Sequence, residues 1–396
     1  MASSLTVDSP ELFGSEHTEM LGRGRAVRRV YGFDEVALVP GAVTVDPALV
    51  DLSWSLGGLH RPLPVLASAM DAVVNVESAA LLARLGALGV LNLVGVTTRY
   101  DDPAAAIARI VEAADADSVS IIQQVYSQPV RDDLVERRVA ELRAAGAPVA
   151  LATPPAYAER CADILGRSGA DVFVIQATVT TVRHKSKNYS PLDFRRLRGR
   201  LDCPLVIGNC VAYEAALDLM DIGADGLLVG VGPGAACTTR QVLGVGVPQV
   251  TAIADCAAAR EDFDVRSGRR VKIIADGGIR TGGEVCKAFA AGADAIMIGS
   301  PLAAATEAPG RGYQWGMSTP DPALPRGTRI KVKSSASLAT ILTGPAHRDD
   351  GTHNLMGALR LGMATCGAAT IQEMQQVEMV IAPALATEGK HFQRSG

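Results

Sequence analysis

Short apolar runs alternate with amphipathic stretches eight times along this 396-residue chain, and that alternation constrains the fold more than any other feature. The runs are "LPVLASAM" (63–70), "ALGVLNLVG" (87–95), "PVALATP" (148–154), "DVFVIQAT" (171–178), "PLVIGNC" (204–210), "DGLLVGVG" (225–232), "VKIIADGG" (271–278) and "DAIMIGS" (294–300). Each is bounded by Gly, Pro, Asp or Asn, as short buried strands are. Between them lie helical patterns such as "VESAALLARLG", "DDLVERRVAELRAAG" and "YEAALDLMDIG". Strand then helix, eight times over, is the arithmetic of a (β/α)8 TIM barrel. Hydrophobic residues make up 48% of the chain but aromatics only 4%. The core is therefore expected to be Val, Ile, Leu and Ala, which suits parallel strands buried on both faces. The triplet "GAD" precedes three of the strands, at 169–171, 223–225 and 292–294. A helix closed by a left-handed glycine and followed by a buried strand gives that pattern.

Residues 1–21 are polar and acidic, unlike a signal peptide, and are expected to form a mobile tail. Residues 22–396 are expected to form one catalytic barrel domain, with an embellishment at 96–147 and an active-site loop at 301–333. The embellishment contains "SVSIIQQ", read as an extra strand, and "NLMGALRLGMATCGAATIQEMQQ" is read as the helical segment that closes the domain. No apolar run reaches 18 residues, so no membrane span is expected. A net charge of -4 argues against a nucleic-acid coat or a binder of anionic membranes. Seven cysteines without CxxC spacing read as reduced cytoplasmic thiols, not a disulfide frame or zinc site. His353, in "DGTHNLMG", reads as a helix cap.

In a barrel, the C-terminal strand ends converge on one mouth, where active sites form. Those ends offer Ser68, Met70, Gln176, Asn209, the loop from Gly232 to Cys237, Asp276, Gly278, Gly299 and Ser300. "ADGGIRTGGE" and "IGSPLAAATEA" bring glycine amides and a serine hydroxyl to helix starts after strands seven and eight. That is a phosphate cradle in outline, although Gly-Gly after a strand is also an ordinary tight turn. Asp276 beside it would accept from vicinal hydroxyls, and phosphate plus diol describes a nucleotide or sugar phosphate. Met70 also reads as core, and Asp276 also as a helix cap. Cys237 stands in the flexible, glycine-rich loop "GVGPGAACTTRQVLGVGVPQ" (230–249), unlike the cysteines within apolar runs. A thiol so placed reads as a nucleophile.

These segments, together with "LASAMDAV", "IADGGIRTGGEVCKAFAAGADAIMIGSPLAAATEAPG" and "GMST", resemble the signature segments of the IMP dehydrogenase/GMP reductase family. The likeness is closest to the bacterial IMP dehydrogenase-related subfamily that lacks the paired CBS insertion. It implies a barrel, usually a tetramer, here a homotetramer or octamer. It further implies that Cys237 attacks C2 of IMP, that hydride passes to NAD, and that water held by Thr239 releases XMP from a covalent thioimidate. IMP would be held by Ser68, Met70, Asp276, Gly278, Gly299, Ser300 and Tyr313, with Gly316, Met317 and Ser318 at the purine edge. Cofactor contacts fall at Gln176, Asn209, Gly230 and Gly232. The carbonyls of Gly232, Gly234 and Cys237 match a potassium site.

The chain departs from the family pattern in places that matter for chemistry. The long flap with its Arg-Tyr pair, whose Arg is the base for hydrolysis, is reduced to "PDPA" between "GMST" and "LPRGTRIKV". Arg326 stands where the family has a Glu or Gln at the purine, and Gln176 where it has a cofactor-holding aspartate. Ala235 replaces the phosphate-loop serine. Arg326 or Arg329 is expected to replace the missing base. The expected activity is IMP dehydrogenase. The alternatives are GMP reductase, which needs no hydrolytic base, and a nucleotide-binding regulatory paralogue with little turnover.

Overall fold

The computed structural model describes residues 18–316, 329–334 and 336–382. Eight parallel strands close into a barrel, each at one of the eight apolar runs: β1 (Val65–Ala67), β2 (Leu88–Asn92), β3 (Ala150–Thr153), β4 (Val172–Gln176), β5 (Leu205–Cys210), β6 (Gly226–Val229), β7 (Lys272–Asp276) and β8 (Ala295–Ile298). The order around the barrel follows the chain, and β8 pairs with β1 through Ile298↔Ala67 to close it. Every residue of β1, β2, β3, β5, β6 and β8 is buried. Val, Leu, Ile and Ala fill the interior. Continuous apolar runs, not alternating ones, are what helices on the outer face and packed side chains within demand.

The "GAD" triplets do more than end helices. Gly169, Gly223 and Gly292 take φ of +73°, +98° and +114°, so the turn needs a residue without Cβ. The aspartate that follows reaches across to the start of the preceding strand. Val149 N donates to Asp171 Oδ2 at 2.6 Å, Leu205 N to Asp225 Oδ2 at 2.8 Å and Ile273 N to Asp294 Oδ2 at 2.9 Å. These three carboxylates staple neighbouring strands at the end of the barrel opposite the mouth.

The embellishment is wholly helical: α2 (Pro103–Glu112), α3 (Ser118–Tyr126) and α4 (Asp132–Ala144), following α1 (Val76–Arg84). The strand expected at "SVSIIQQ" is α3. Its buried residues are Ser118, Ile122, Val125 and Tyr126, spaced by four, three and one, which is the period of a helix face and not of a strand. Ile122, Val125 and Tyr126 join Ile107, Ile110, Ala72 and Trp315 in a satellite core separate from the main one. The expected tail also begins to order earlier than residue 22. Thr18–Met20 pairs antiparallel with Ala26–Arg28, while residues 1–17 lie outside the described residues.

Helices α5 (Ala158–Ser168), α6 (Phe194–Arg198), α7 (Tyr213–Asp221), α8 (Thr239–Leu243), α9 (Gln249–Ser267), α10 (Gly282–Ala290) and α11 (Ser300–Ala303) follow β3 to β8. The closing segment is α12 (Leu338–Leu342), α13 (Leu355–Cys366) and α14 (Ile371–Met374). The cap of α13 is Asn354, whose side chain accepts from Gly357 N at 3.0 Å; His353 instead accepts from His347 N, because it lies one residue too early to face the helix amides. Among the described residues no helix is long and apolar enough to cross a membrane.

Candidate active site

One cavity of about 940 Å³ opens at the C-terminal ends of the strands. Its wall includes most of the residues expected there: Ser68, Met70, Gln176, Asn209, Gly230, Gly232, Gly234, Cys237, Thr239, Asp276, Gly278, Gly299, Ser300 and Gly316. They come from six strand ends and the segment after β8, and only barrel closure brings them together.

The cysteine loop leaves β6 and folds against the turn after β7. Gly278 has φ +77°, and a Cβ there would stand 2.9 Å from Pro233 Cβ. Glycine at 278 therefore serves close packing of two loops as well as backbone freedom. The loop turns tightly, Cys237 N donating to Gly234 O at 2.9 Å. Cys237 is the one exposed cysteine of the seven, and its thiol donates to Thr239 Oγ1 at 3.2 Å. Thr239 is itself buried, so its hydroxyl is held in place.

Facing this loop, three side chains from different strands converge. Asp276 Oδ2 accepts from Asn209 Nδ2 at 2.7 Å and from Gln176 Nε2 at 2.9 Å, and Gln176 Nε2 also reaches Asn209 Oδ1 at 3.1 Å. The pairing of β5 with β6 shifts register between Gly208 and Cys210, and the residue passed over is Asn209. A bulge re-aims a side chain in this way beside active sites. Burial pushes the Asp276 carboxyl up to about 6, with the two amides pulling the other way.

At the β8 end, a Cβ on Gly299 would lie 3.1 Å from Met70 Sδ and 3.4 Å from Ser68 Oγ, so these three form one surface. Ser300 Oγ accepts from Gln314 Nε2 at 2.8 Å. Gln314, 2% exposed, was not foreseen. Tyr313 was expected here, but it points the other way: its ring lies under the Arg329 guanidinium, 4.2 Å from centroid to Cζ, and it does not line the cavity. The two residues form a short strand paired with Ile330–Lys331, and neighbours on a strand face opposite sides. Period-two reading of "GYQW" holds the signal that could have chosen Gln314.

Arg329 is a second correction. Its guanidinium donates to Ile110 O at 2.6 Å, Val111 O at 2.9 Å, Ala113 O at 2.9 Å and Asp115 Oδ1 at 2.7 Å. It caps the C-terminus of α2, where a cation meets the helix dipole and the orphan carbonyls, and it does not line the cavity. Met317, Ser318 and Arg326 lie outside the described residues. Two further wall residues come from the embellishment, Arg99 and Tyr126. Tyr126 donates to the buried Asp71 and accepts from Trp315 Nε1 at 2.9 Å.

A parallel barrel with an exposed thiol, a carboxylate and a serine hydroxyl at its mouth defines a class: (β/α)8 barrels whose strand-end loops build one site. Comparison narrows the class. The family model described as IMP dehydrogenase / GMP reductase domain matches residues 30–318. An uncharacterized oxidoreductase of Mycobacterium tuberculosis is 39% identical over 370 residues, covering 91% of this chain and 99% of that relative. The inosine-5'-monophosphate dehydrogenase of Methanocaldococcus jannaschii is 30% identical, covering 88% of this chain and 92% of that protein. A crystal structure of an IMP dehydrogenase/GMP reductase-like protein from Corynebacterium glutamicum superposes with a TM-score of 0.87 at 35% identity, covering 93% of this chain and 98% of that one. The chain belongs to the IMP dehydrogenase/GMP reductase family of oxidoreductases.

Proposed function

We propose that this protein is a cytoplasmic IMP dehydrogenase that converts IMP to XMP with NAD. The observation that carries the reading is the exposed Cys237 thiol, held 3.2 Å from the buried Thr239 hydroxyl in a glycine-rich loop opposite Asp276. In this reading the Cys237 sulfur bonds to C2 of the purine, hydride leaves C2, and a thioimidate remains. Water held by Thr239 then adds to C2, the C–S bond breaks, and XMP departs as the thiol regains its proton. Splitting one hard substitution into two steps is the gain that a covalent route offers.

Asp276 would accept from the ribose diol, and Gly278, Gly299 and Ser300 would hold the phosphate. NAD, when bound, supplies the hydride acceptor. The cavity has room for it: about 940 Å³ is at the upper end for ligand sites, and the bare backbone of Gly230 and Gly232 allows a flat ring to approach. The potassium carbonyls fit less well. Gly234 O already accepts from Cys237 N, and three oxygens from one loop are half of what a hard cation needs. The reading assigns potassium no step. A homotetramer or octamer remains part of the proposal.

GMP reductase is the second reading, favoured by one observation: Arg329, a candidate hydrolytic base, is committed to α2. Against it, the resemblance places a reductase's catalytic Glu in the segment matching "LPRGTR", where this chain has only arginines, and the acidic residues of the described wall are Asp34, Asp276 and Glu284. Glu284 is spent on its own helix cap and on Arg280. The test is to incubate the protein with IMP and NAD, then with GMP and NADPH, following absorbance of the reduced nicotinamide. We expect NADH to appear in the first mixture and Cys237→Ala to abolish it. NADPH loss with GMP alone would transfer the assignment to the reductase. No signal in either mixture, with IMP bound, would leave the regulatory paralogue.

A further inference from the structure

At the position where the family's dehydrogenases hold their cofactor with an aspartate, this chain has an amide, and the amide is engaged elsewhere. Gln176 Nε2 donates to Asp276 Oδ2 at 2.9 Å, beside the Asn209 donor at 2.7 Å. One oxygen of the carboxylate is thus saturated by two neutral donors. Among the described residues no donor reaches Oδ1 of Asp276, and Asp276 lines the cavity. An aspartate at 176 could not make this contact. It would set two carboxylates against one another, and sharing of that kind forces one of them to hold a proton.

We infer that Gln176 is a positioning residue for the nucleotide's ribose and not a cofactor ligand: with Asn209 it pins Asp276 so that Oδ1 alone meets a vicinal diol, and its amide keeps that carboxylate charged. The inference rests on the nucleotide reading above.

The surroundings of Asp276 leave this task to the two amides. From α9, Gln249 Nε2 donates to Val229 O and to the Asp276 main-chain oxygen, not to the carboxylate. After β7, Arg280 pairs with Glu284 at 2.6 Å. After β6, Arg240 donates to Val231 O and Val247 O, and Cys237 donates to Thr239. Among the described residues no cation contacts the carboxylate, and burial raises its pKa to about 6 with the two amides pulling the other way. Removal of either amide strips charge-assisted hydrogen bonding from a sheltered anion, which is among the stronger polar losses a site can suffer.

The test uses the full chain and calorimetric titration without any cofactor, with IMP and with 2′,3′-dideoxy-IMP as probes. Gln176→Ala is expected to weaken IMP binding about tenfold and dideoxy-IMP binding less than twofold. Gln176→Asp is expected to move the pH at which IMP affinity falls by half upward by about one unit or more. Equal losses for the two nucleotides in Gln176→Ala would reduce Gln176 to a structural part and overturn the inference. Unchanged IMP affinity in that variant, with only the KM for NAD raised, would overturn it in favour of a cofactor contact. Failure of the unmodified protein to bind IMP at all would overturn the functional reading itself, a separate result.

Discussion

Replacing Arg329 by Met separates a structural arginine from a catalytic one. The guanidinium holds three backbone carbonyls at the end of α2 and one carboxylate. Asp115 is 95% exposed, so its ion pair counts for little. The Val111 and Ala113 carbonyls sit at a half-buried edge where water can replace the lost donor. Ile110 is fully buried, and its unpaired carbonyl costs about 1–3 kcal/mol. Stacking on the Tyr313 ring at 4.2 Å adds about 1–2 kcal/mol. Arg329→Met should therefore destabilise by about 3 kcal/mol, and Arg329→Lys, which keeps a charge but loses the fork, by about half of that. Urea unfolding followed by tryptophan fluorescence reads this locally, because Trp315 is buried in the satellite core that α2 helps to build. Turnover per folded molecule should stay within about twofold, since the residue does not touch the cavity. A variant as stable as the parent, but with XMP release slowed tenfold after a normal hydride-transfer burst, would refute the reasoning and return Arg329 to the mouth.

Three further outcomes follow from the same geometry. Limiting iodoacetamide should label Cys237 first, and IMP should protect it; burial pushes the Cys161 thiol up to about 11 and Cys286 up to about 12, so peptide mapping that finds either labelled ahead of Cys237 contradicts the site. Gln314→Leu removes the donor to Ser300 Oγ and should raise the KM for IMP about tenfold, while Tyr313→Phe should leave it unchanged; steady-state kinetics at fixed NAD decides. Burial holds the Asp71 carboxyl at about 6, against an ordinary 3.8, despite the Tyr126 hydroxyl. An acid with a raised folded-state pKa binds its proton more tightly when folded, so it lowers stability as pH climbs from about 4 to about 6. Asp71→Asn removes that fall, and between pH 4 and pH 7 its stability relative to the parent should improve by about 3 kcal/mol. A constant difference across that range in chemical denaturation would refute it.

The barrel was legible because its signal is redundant. Eight apolar runs at short spacing admit few topologies, and right-handed parallel connection leaves one ring in chain order. The misread element lay where redundancy ended. "SVSIIQQ" belongs to an insertion outside the repeat, and its β-branched content outweighed a buried spacing that only a helix satisfies. The staple role of the three "GAD" aspartates was invisible for another reason. Each acts on a strand some 20 residues earlier in the chain, a pairing that exists only once the barrel closes.

The site divided along the same line. Residues at strand ends fell where expected, because strand direction alone sends them to the mouth. Further along, after α11, Gly316 also lines the cavity but Tyr313 and Arg329 do not, because their orientation depends on what they pack against. Trp315 enters the satellite core, Tyr313 lies under Arg329, and Arg329 is bound to α2, so the insertion and the segment after β8 form one packed unit. That packing turns Gln314 toward Ser300 and leaves Gly316 at the wall. It also places Arg99 and Tyr126 of the insertion along the cavity. On either side of the shortened flap, a buried tryptophan, Trp315, and a buried arginine, Arg329, pack against the insertion. The insertion and the residues that flank the flap therefore cover each other's apolar and hydrogen-bonding surface.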